Sequence, residues 1–273
     1  MWSRGEFSSP LLGSSPAILY LEDKLIINTV VFDLGGTLIE YAGEYAVWPD
    51  LETPGFTVAY GHLSQNGLHL PEFEQFKQTG FSLLPIRWQA AMRGEKNLRL
   101  VDLLAETLAE LGVNGVPNDQ LVAAAELYQV AICSQAAPIP GVKKMLTEIK
   151  AAGYKIGLLS NTMFTGAAHI ADLERFGLVE YFDAMLFSAD AAKWKPNPAP
   201  FLQVLAELGS GVETAVFIGD DPVGDIVGGQ RAGLKTIHFQ SSQRFHMPDG
   251  VQPDAQIQAL DELLPALSRW LQS

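Results

Sequence analysis

Cysteine is nearly absent: Cys133 is the only one in 273 residues. No intrachain disulfide is possible, no thiolate cluster can hold a metal, and a reducing compartment fits. Basic residues are scarce too. Eighteen lysines and arginines face 31 aspartates and glutamates, a formal net charge of −13. Such a surface argues against nucleic acid and against anionic membranes as partners. It also repels anionic substrates, so a phosphate site needs a local cation. Long apolar runs are missing, and none approaches the roughly 20 residues of a membrane span. The early run Ala17 to Leu21 is too short for the core of a signal peptide and leads into Glu22 and Asp23. The expected location is the cytoplasm. The five histidines are scattered, and His169 and His238 show no metal-ligand pattern. Cys133, on an Ala-rich helical stretch, reads as a small buried apolar residue.

The 48% apolar content is enough for one large domain or a domain with an insertion. Residues 1–24, rich in Ser, Pro and Gly, read as an N-terminal extension. Leu25 to Phe32 is a β-branched and apolar run, the pattern of a buried strand. From Tyr41 to Pro138 the pattern is mostly helical. Leucines at 104, 108 and 111 are followed by a stop at Gly112, and a second helix spans Asp119 to Cys133. After Pro138-Ile139-Pro140-Gly141, helix and strand periods take turns. Strands are expected over 154–159, 183–187, 214–218 and 235–239, and helices over 142–152, 167–176, 199–208 and 223–232. Such alternation implies βαβ units and a parallel sheet. The expected architecture is α/β: a Rossmann-like parallel sheet core from residues 25–40 and 139–273, interrupted by a mainly helical insertion over 41–138.

Four segments end expected strands, the edge where open α/β sheets bind ligands. Val30-Val31-Phe32-Asp33-Leu34-Gly35-Gly36-Thr37-Leu38 delivers one carboxylate into a glycine turn. Gly157-Leu158-Leu159-Ser160-Asn161-Thr162 places a hydroxyl after a buried strand. Lys195-Pro196-Asn197-Pro198 holds a cation on a stiff, proline-flanked turn. Phe217-Ile218-Gly219-Asp220-Asp221-Pro222-Val223-Gly224-Asp225 releases acids at a helix start. Each alone has an ordinary explanation as a cap, loop or solvated turn.

The order Asp, Ser, Lys, Asp-x-x-x-x-Asp on successive strand ends resembles the four motifs of the haloacid dehalogenase-like hydrolases, over residues 25–240. The insertion lies where members with a C1-type helical cap carry theirs. The resemblance implies a Mg²⁺-dependent phosphatase or phosphotransferase acting on a small phosphorylated metabolite. Asp33 is then the nucleophile, forming an aspartyl phosphate. Asp33, Asp220 and the Gly35 carbonyl are implied as metal ligands, and Asp225 as a residue that holds the metal indirectly or orients Lys195. Lys195 neutralises nucleophile and phosphate; it is preferred to nearby Lys193 because it stands directly in the Lys-Pro-x-Pro form. Ser160, Asn161 and the backbone at Gly36 and Thr37 are implied to bind the phosphoryl group.

One position departs from the family pattern. The usual acid two residues after the nucleophile is replaced by Gly35. A glycine keeps the carbonyl but deletes the carboxyl that protonates the leaving oxygen, a function typically worth about 10²–10⁴ in rate. Glu40, Glu44 and Asp50 are the acids nearby in sequence. Two rival readings follow: a catalytically weak or inactive binding protein on the same scaffold, and a metal-independent dehalogenase-like hydrolase. Asp220 and Asp225 speak against the latter, as does the lack of that branch's usual tyrosine at position 35. In the insertion, His62, Arg87, Trp88 and Arg93 are candidate substrate contacts, with Trp88 as core and the arginines as surface charges the plainer expectation.

Overall fold

A computed structural model describes residues 27–41, 47–240 and 245–270. The N-terminal extension expected over residues 1–24 and the candidate acid Glu44 lie outside the described residues. Six strands form one parallel sheet in the order β5-β4-β1-β6-β7-β8: β1 (Thr29–Phe32), β4 (Lys155–Ser160), β5 (Ala184–Phe187), β6 (Ala215–Gly219), β7 (Lys235–Phe239) and β8 (Ala255–Ile257). β1 is central and fully buried, which accounts for its unbroken Thr-Val-Val-Phe run. Phe32 is in register with Leu158 of β4 and Ile218 of β6. The residues that follow each therefore emerge on one sheet edge, where the strand order reverses.

Helices α5 (Val142–Ala151), α6 (Gly166–Arg175), α7 (Pro198–Leu208), α8 (Gly228–Ala232) and α9 (Leu263–Trp270) complete the α/β pattern. In α5 the helical spacing read from the sequence is the buried stripe: Val142, Met145, Leu146 and Ile149. α7 begins with a full cap. The Asn197 side chain accepts from Ala199 N at 2.9 Å, Pro198 opens the helix, and Gly209 ends it in the left-handed conformation. The third motif is thus the N-terminal punctuation of a helix.

Two features were not legible in the sequence. The helix expected over 223–232 is divided: Pro222–Val227 forms a wide turn before the short α8. Asp221 caps that turn, accepting from Val223 N at 2.9 Å, and its carbonyl takes the N–H of Asp225 at 2.9 Å and of Ile226 at 3.4 Å. Such local widening favours positions where side chains must be re-aimed. The C-terminal tail also adds an edge strand, β8. Only Ile257 of its three residues is buried, too little for a period-2 pattern to register.

Between β2 (Ile39–Tyr41) and β3 (Ala136–Pro138), which pair as an antiparallel ribbon, the chain runs through α1 (Thr53–Gln65), α2 (Phe73–Met92), α3 (Leu100–Glu110) and α4 (Asn118–Cys133). These helices build a separate apolar cluster around Phe56, whose ring meets Phe76, Phe81 and Tyr128 edge-on. Each such pair contributes about 0.5–1.5 kcal/mol beyond area burial. Met163, Phe164 and Trp194, from segments beside the sheet, plug into the same cluster. Trp194 lies edge-on to Trp88 at 4.8 Å and donates through Nε1 to Asn97 Oδ1 at 2.6 Å. Arg87 is paired with Glu106 and Arg93 with Glu95, as expected of surface charges.

Two buried titratable groups in this region oppose one another in pH. Burial raises Glu52 to about 7, against a smaller lowering by the Tyr128 hydroxyl. Burial lowers His169 to about 4. A raised acid holds its proton longer when folded, so Glu52 reduces stability as pH climbs from about 4.5 to 7. A depressed histidine stays neutral when folded, so His169 adds stability over about pH 4 to 6.5. Across their shared window the two contributions offset. In Glu52→Gln only the histidine slope remains. Its stability relative to the parent chain is expected to rise by about 3 kcal/mol between pH 4.5 and 7, measured from denaturant midpoints at each pH.

Candidate active site

Asp33 follows β1, its N–H held by the Ile218 carbonyl at 2.9 Å. Ser160 is the last residue of β4 rather than the first beyond it, and is buried. Asp220 follows β6, and Asp225 sits in the wide turn behind it. One carboxylate oxygen from each of Asp33, Asp220 and Asp225 lies within 4.8 Å of the others. Residues scattered over 162 positions of chain between Asp33 and Lys195 thus share one sheet edge.

Lys195 is the charge at the centre. Its Nζ donates to Asp33 Oδ1 at 2.6 Å and to Asp225 Oδ1 at 2.7 Å, and the residue is only 2% exposed. Burial alone would lower this ammonium, but Asp225 and Asp33 outweigh it and hold it above the ordinary lysine value. Lys193 instead donates to the Gly94 carbonyl at 2.9 Å in an exposed contact, so geometry separates the two lysines as the Lys-Pro-x-Pro form did. The main chain at Lys195 is fixed from β4. Asn161 Nδ2 donates to its carbonyl and Asn161 Oδ1 accepts its N–H, both at 2.9 Å.

The acids exceed the base. Asp225 is fully buried, and burial together with Asp33, Asp221 and Asp220 pushes its carboxyl well up against the pull of Lys195. Both its oxygens are engaged, Oδ1 by Lys195 and Oδ2 by the Asp221 N–H at 2.9 Å. Of the two roles read from the sequence, this arrangement favours orienting Lys195. Three buried acids face one ammonium, and the carboxylate oxygens of Asp33 and Asp220 are a donor set suited to a hard divalent cation.

Several expected contacts take other roles. The Gly36 N–H donates to Ile39 O at 2.7 Å and the Thr37 N–H to Leu34 O at 3.3 Å, so both close the turn instead of pointing to a phosphoryl group. Thr37 is fully buried. Asn161, expected on the substrate, is engaged with Lys195. The glycine at 36 is required twice over: its φ is +83°, and a Cβ there would collide with the Asp220 carboxylate. Position 35 is different. No positive φ restricts it, and among the described residues a Cβ would meet only Tyr41 Cε2, at 3.8 Å.

Two residues overlooked in the sequence belong to this region. The Tyr41 ring lies beside Gly35, and its hydroxyl is 3.4 Å from His169 Nδ1. Burial pushes that phenol well up, with Cys133, Asp172, Glu52 and Asp33 adding to the effect. His238, one strand beyond Asp220, donates through Nε2 to the Asp220 carbonyl at 3.2 Å and so braces the fourth motif. Neither position carries a spacing signal, because the contacts join segments far apart in the chain, β2 to α6 for Tyr41 and β7 to the residue after β6 for His238. Among the other candidate acids, Glu40 lies on β2 and Asp50 in the short turn before α1.

A family model described as haloacid dehalogenase-like hydrolase matches residues 27–233. The ribulose-1,5-bisphosphate 5-phosphatase of Halopiger xanaduensis is 32% identical over 159 residues, covering 56% of this chain and 65% of that protein, just under two thirds of its length. The glyceraldehyde 3-phosphate phosphatase of Methanopyrus kandleri is 30% identical over 175 residues, 63% of this chain and 72% of that protein. The solved 2-haloacid dehalogenase of Pseudomonas syringae pv. Tomato superimposes with a TM-score of 0.66 at 26% identity, over 90% of this chain and 100% of that one. With the family model spanning most of the chain and the four motifs meeting at one sheet edge, this protein belongs to the haloacid dehalogenase-like hydrolases.

Proposed function

We propose that this chain is a Mg²⁺-dependent phosphatase or phosphotransferase for small phosphorylated metabolites, with Asp33 as the nucleophile. The observation that carries the reading is the Lys195 bridge between Asp33 and Asp225, set against the Asp33–Asp220–Asp225 carboxylate cluster. Asp33, Asp220 and the Gly35 carbonyl would hold the ion. When bound, it supplies charge neutralisation for the phosphoryl oxygens. The phosphatase names of the two curated relatives support the substrate class.

The chain's own residues account for each part of such a reaction. An Asp33 oxygen attacks phosphorus in line, forming an acyl phosphate as the ester P–O bond breaks. Lys195, anchored by Asp225 and Asn161, keeps that carboxylate aimed and meets the incoming negative charge. Ser160 faces the same edge and supplies a hydroxyl to the phosphoryl group. The leaving oxygen takes its electron pair with no carboxylic acid at position 35 to protonate it. Water then hydrolyses the acyl phosphate and regenerates Asp33. The helices α1–α4 act as the cap that excludes water and selects substrate.

Three measurements test this reading. An aryl phosphate assay is expected to show turnover with Mg²⁺ that stops with chelator, and that Asp33→Asn lowers by about a thousandfold or more. Turnover unaffected by Asp33→Asn sinks the proposal, and chloride release from a short 2-haloacid in place of phosphate release identifies the dehalogenase alternative. Across a series of phosphate esters, rates are expected to fall steeply as the leaving-group pKa rises; a flat series means that another group delivers the proton. Gly35→Asp is expected to speed alkyl phosphate hydrolysis by about 10²-fold or more. The backbone at 35 accepts a side chain, so an unchanged rate in that variant shows the acid function already filled.

A further inference from the structure

Cys133 ends α4, whereas His169 and Asp172 sit one turn apart on α6. The fold brings one ligand atom from each within 4.8 Å of the others, and all three residues are buried. The three belong to none of the four motifs, and only their convergence across two helices exposes them. Asp172 is 5% exposed. Its Oδ1 accepts from Arg175 Nη2 at 2.9 Å, while Oδ2 has no N–H or O–H partner among the described residues, and the Cys133 thiol is the group that donates to this carboxylate. A buried carboxylate, a thiol and an imidazole converging on one point offer a metal three ligands once the thiol proton is displaced. We propose that Cys133, His169 and Asp172 form a second metal site, selective for Zn²⁺, at the seam between the helical insertion and the sheet.

The donor set decides the metal. Sulfur, nitrogen and one carboxylate oxygen suit borderline-soft Zn²⁺, whereas the all-carboxylate cluster at Asp33, Asp220 and Asp225 suits a hard ion. The histidine is already oriented. The Thr162 hydroxyl, which accepts from Phe164 N at 3.0 Å, is 2.8 Å from Nε2. With Nε2–H donating to that hydroxyl, Nδ1 carries the lone pair; it takes the long contact from the Tyr41 hydroxyl and would turn to a metal in its place, an outer contact at Nε2 fixing tautomer and ring. The Tyr41 hydroxyl, 3.4 Å from Nδ1, or a water completes four ligands. Zinc uptake would replace the Cys133 S–H bond with a Zn–S bond and release that proton to solvent. Arg175, its side chain 44% exposed, reaches in to Asp172 from the solvent side and marks where the seam meets water. A metal here would tie the last turn of the insertion to α6.

The test uses the full chain, stripped with chelator and then held in excess Mg²⁺. One equivalent of Zn²⁺ per chain is expected to survive gel filtration. Co²⁺ in its place is expected to give the near-ultraviolet absorption of a thiolate-bound cobalt. Cys133→Ser is expected to abolish that band and, like Asp172→Asn, to weaken zinc binding at least about tenfold, whereas Asp220→Asn leaves both unchanged. Circular dichroism checks that each variant is folded, and the cobalt spectrum of the parent chain tests the site without any variant. A missing thiolate band, zinc held equally by Cys133→Ser, or zinc lost on Asp220→Asn would each overturn the proposal. Because the readouts are retention and absorption, their outcome is independent of whether the chain hydrolyses phosphate esters.

Discussion

The buried ammonium of Lys195, held between Asp33 and Asp225, is the constraint on which the site depends. A charge that is 2% exposed persists only when paired and hydrogen-bonded, because the desolvation cost of an unpaired ion is several kcal/mol. Pairing with one acid would leave the pocket neutral. Pairing within a group of three leaves excess negative charge, which burial intensifies. The same low-dielectric surroundings that make the lysine strong toward a phosphoryl group make the acid excess a demand for a divalent cation. Lys195 and the proposed divalent cation would together offset at this edge the repulsion that the net charge of −13 sets up against anionic substrates.

Keeping that pocket in place occupies many groups that touch no substrate. Asn161 clamps the main chain of Lys195. Asn197 caps the next helix. Asp221 shapes the wide turn that returns Asp225 to the sheet edge, and His238 braces Asp220 from the adjacent strand. Gly219 belongs to the same scheme, since any side chain there would meet the Asp225 carboxylate. These are orienting contacts in the sense that catalytic geometry needs. Several polar residues near the motifs hold the charged ones and are themselves turned away from any ligand.

The absence of an acid at position 35 takes on a structural meaning beside Tyr41. The phenol ring lies against the glycine, so the neighbourhood is shaped and occupied. Burial keeps that hydroxyl protonated. It stands between the turn after Asp33 and the group of His169, Cys133 and Asp172, placing position 35 and the seam in one buried polar region.

The motifs and the alternation of periods were legible in the sequence because they are local. A strand that must be buried on both faces is written as Thr-Val-Val-Phe, a helix against a sheet as Val142, Met145, Leu146 and Ile149, and a carboxylate at a strand end as Asp33 after Phe32. Those determined the α/β class, the sheet edge and the charged residues that meet there. What depends on distance in the chain was not written there. That Asn161 clamps the main chain of Lys195, that Asp225 meets Lys195 and the Asp221 N–H, and that the helix after Pro222 widens are matters of packing. So is the meeting of Cys133 with His169 and Asp172, which the scattered positions in the sequence had argued against. Local patterns encode which way a side chain leaves the backbone. Only the tertiary structure, by closing loops of a hundred residues and more around a buried charge, decides what that side chain meets.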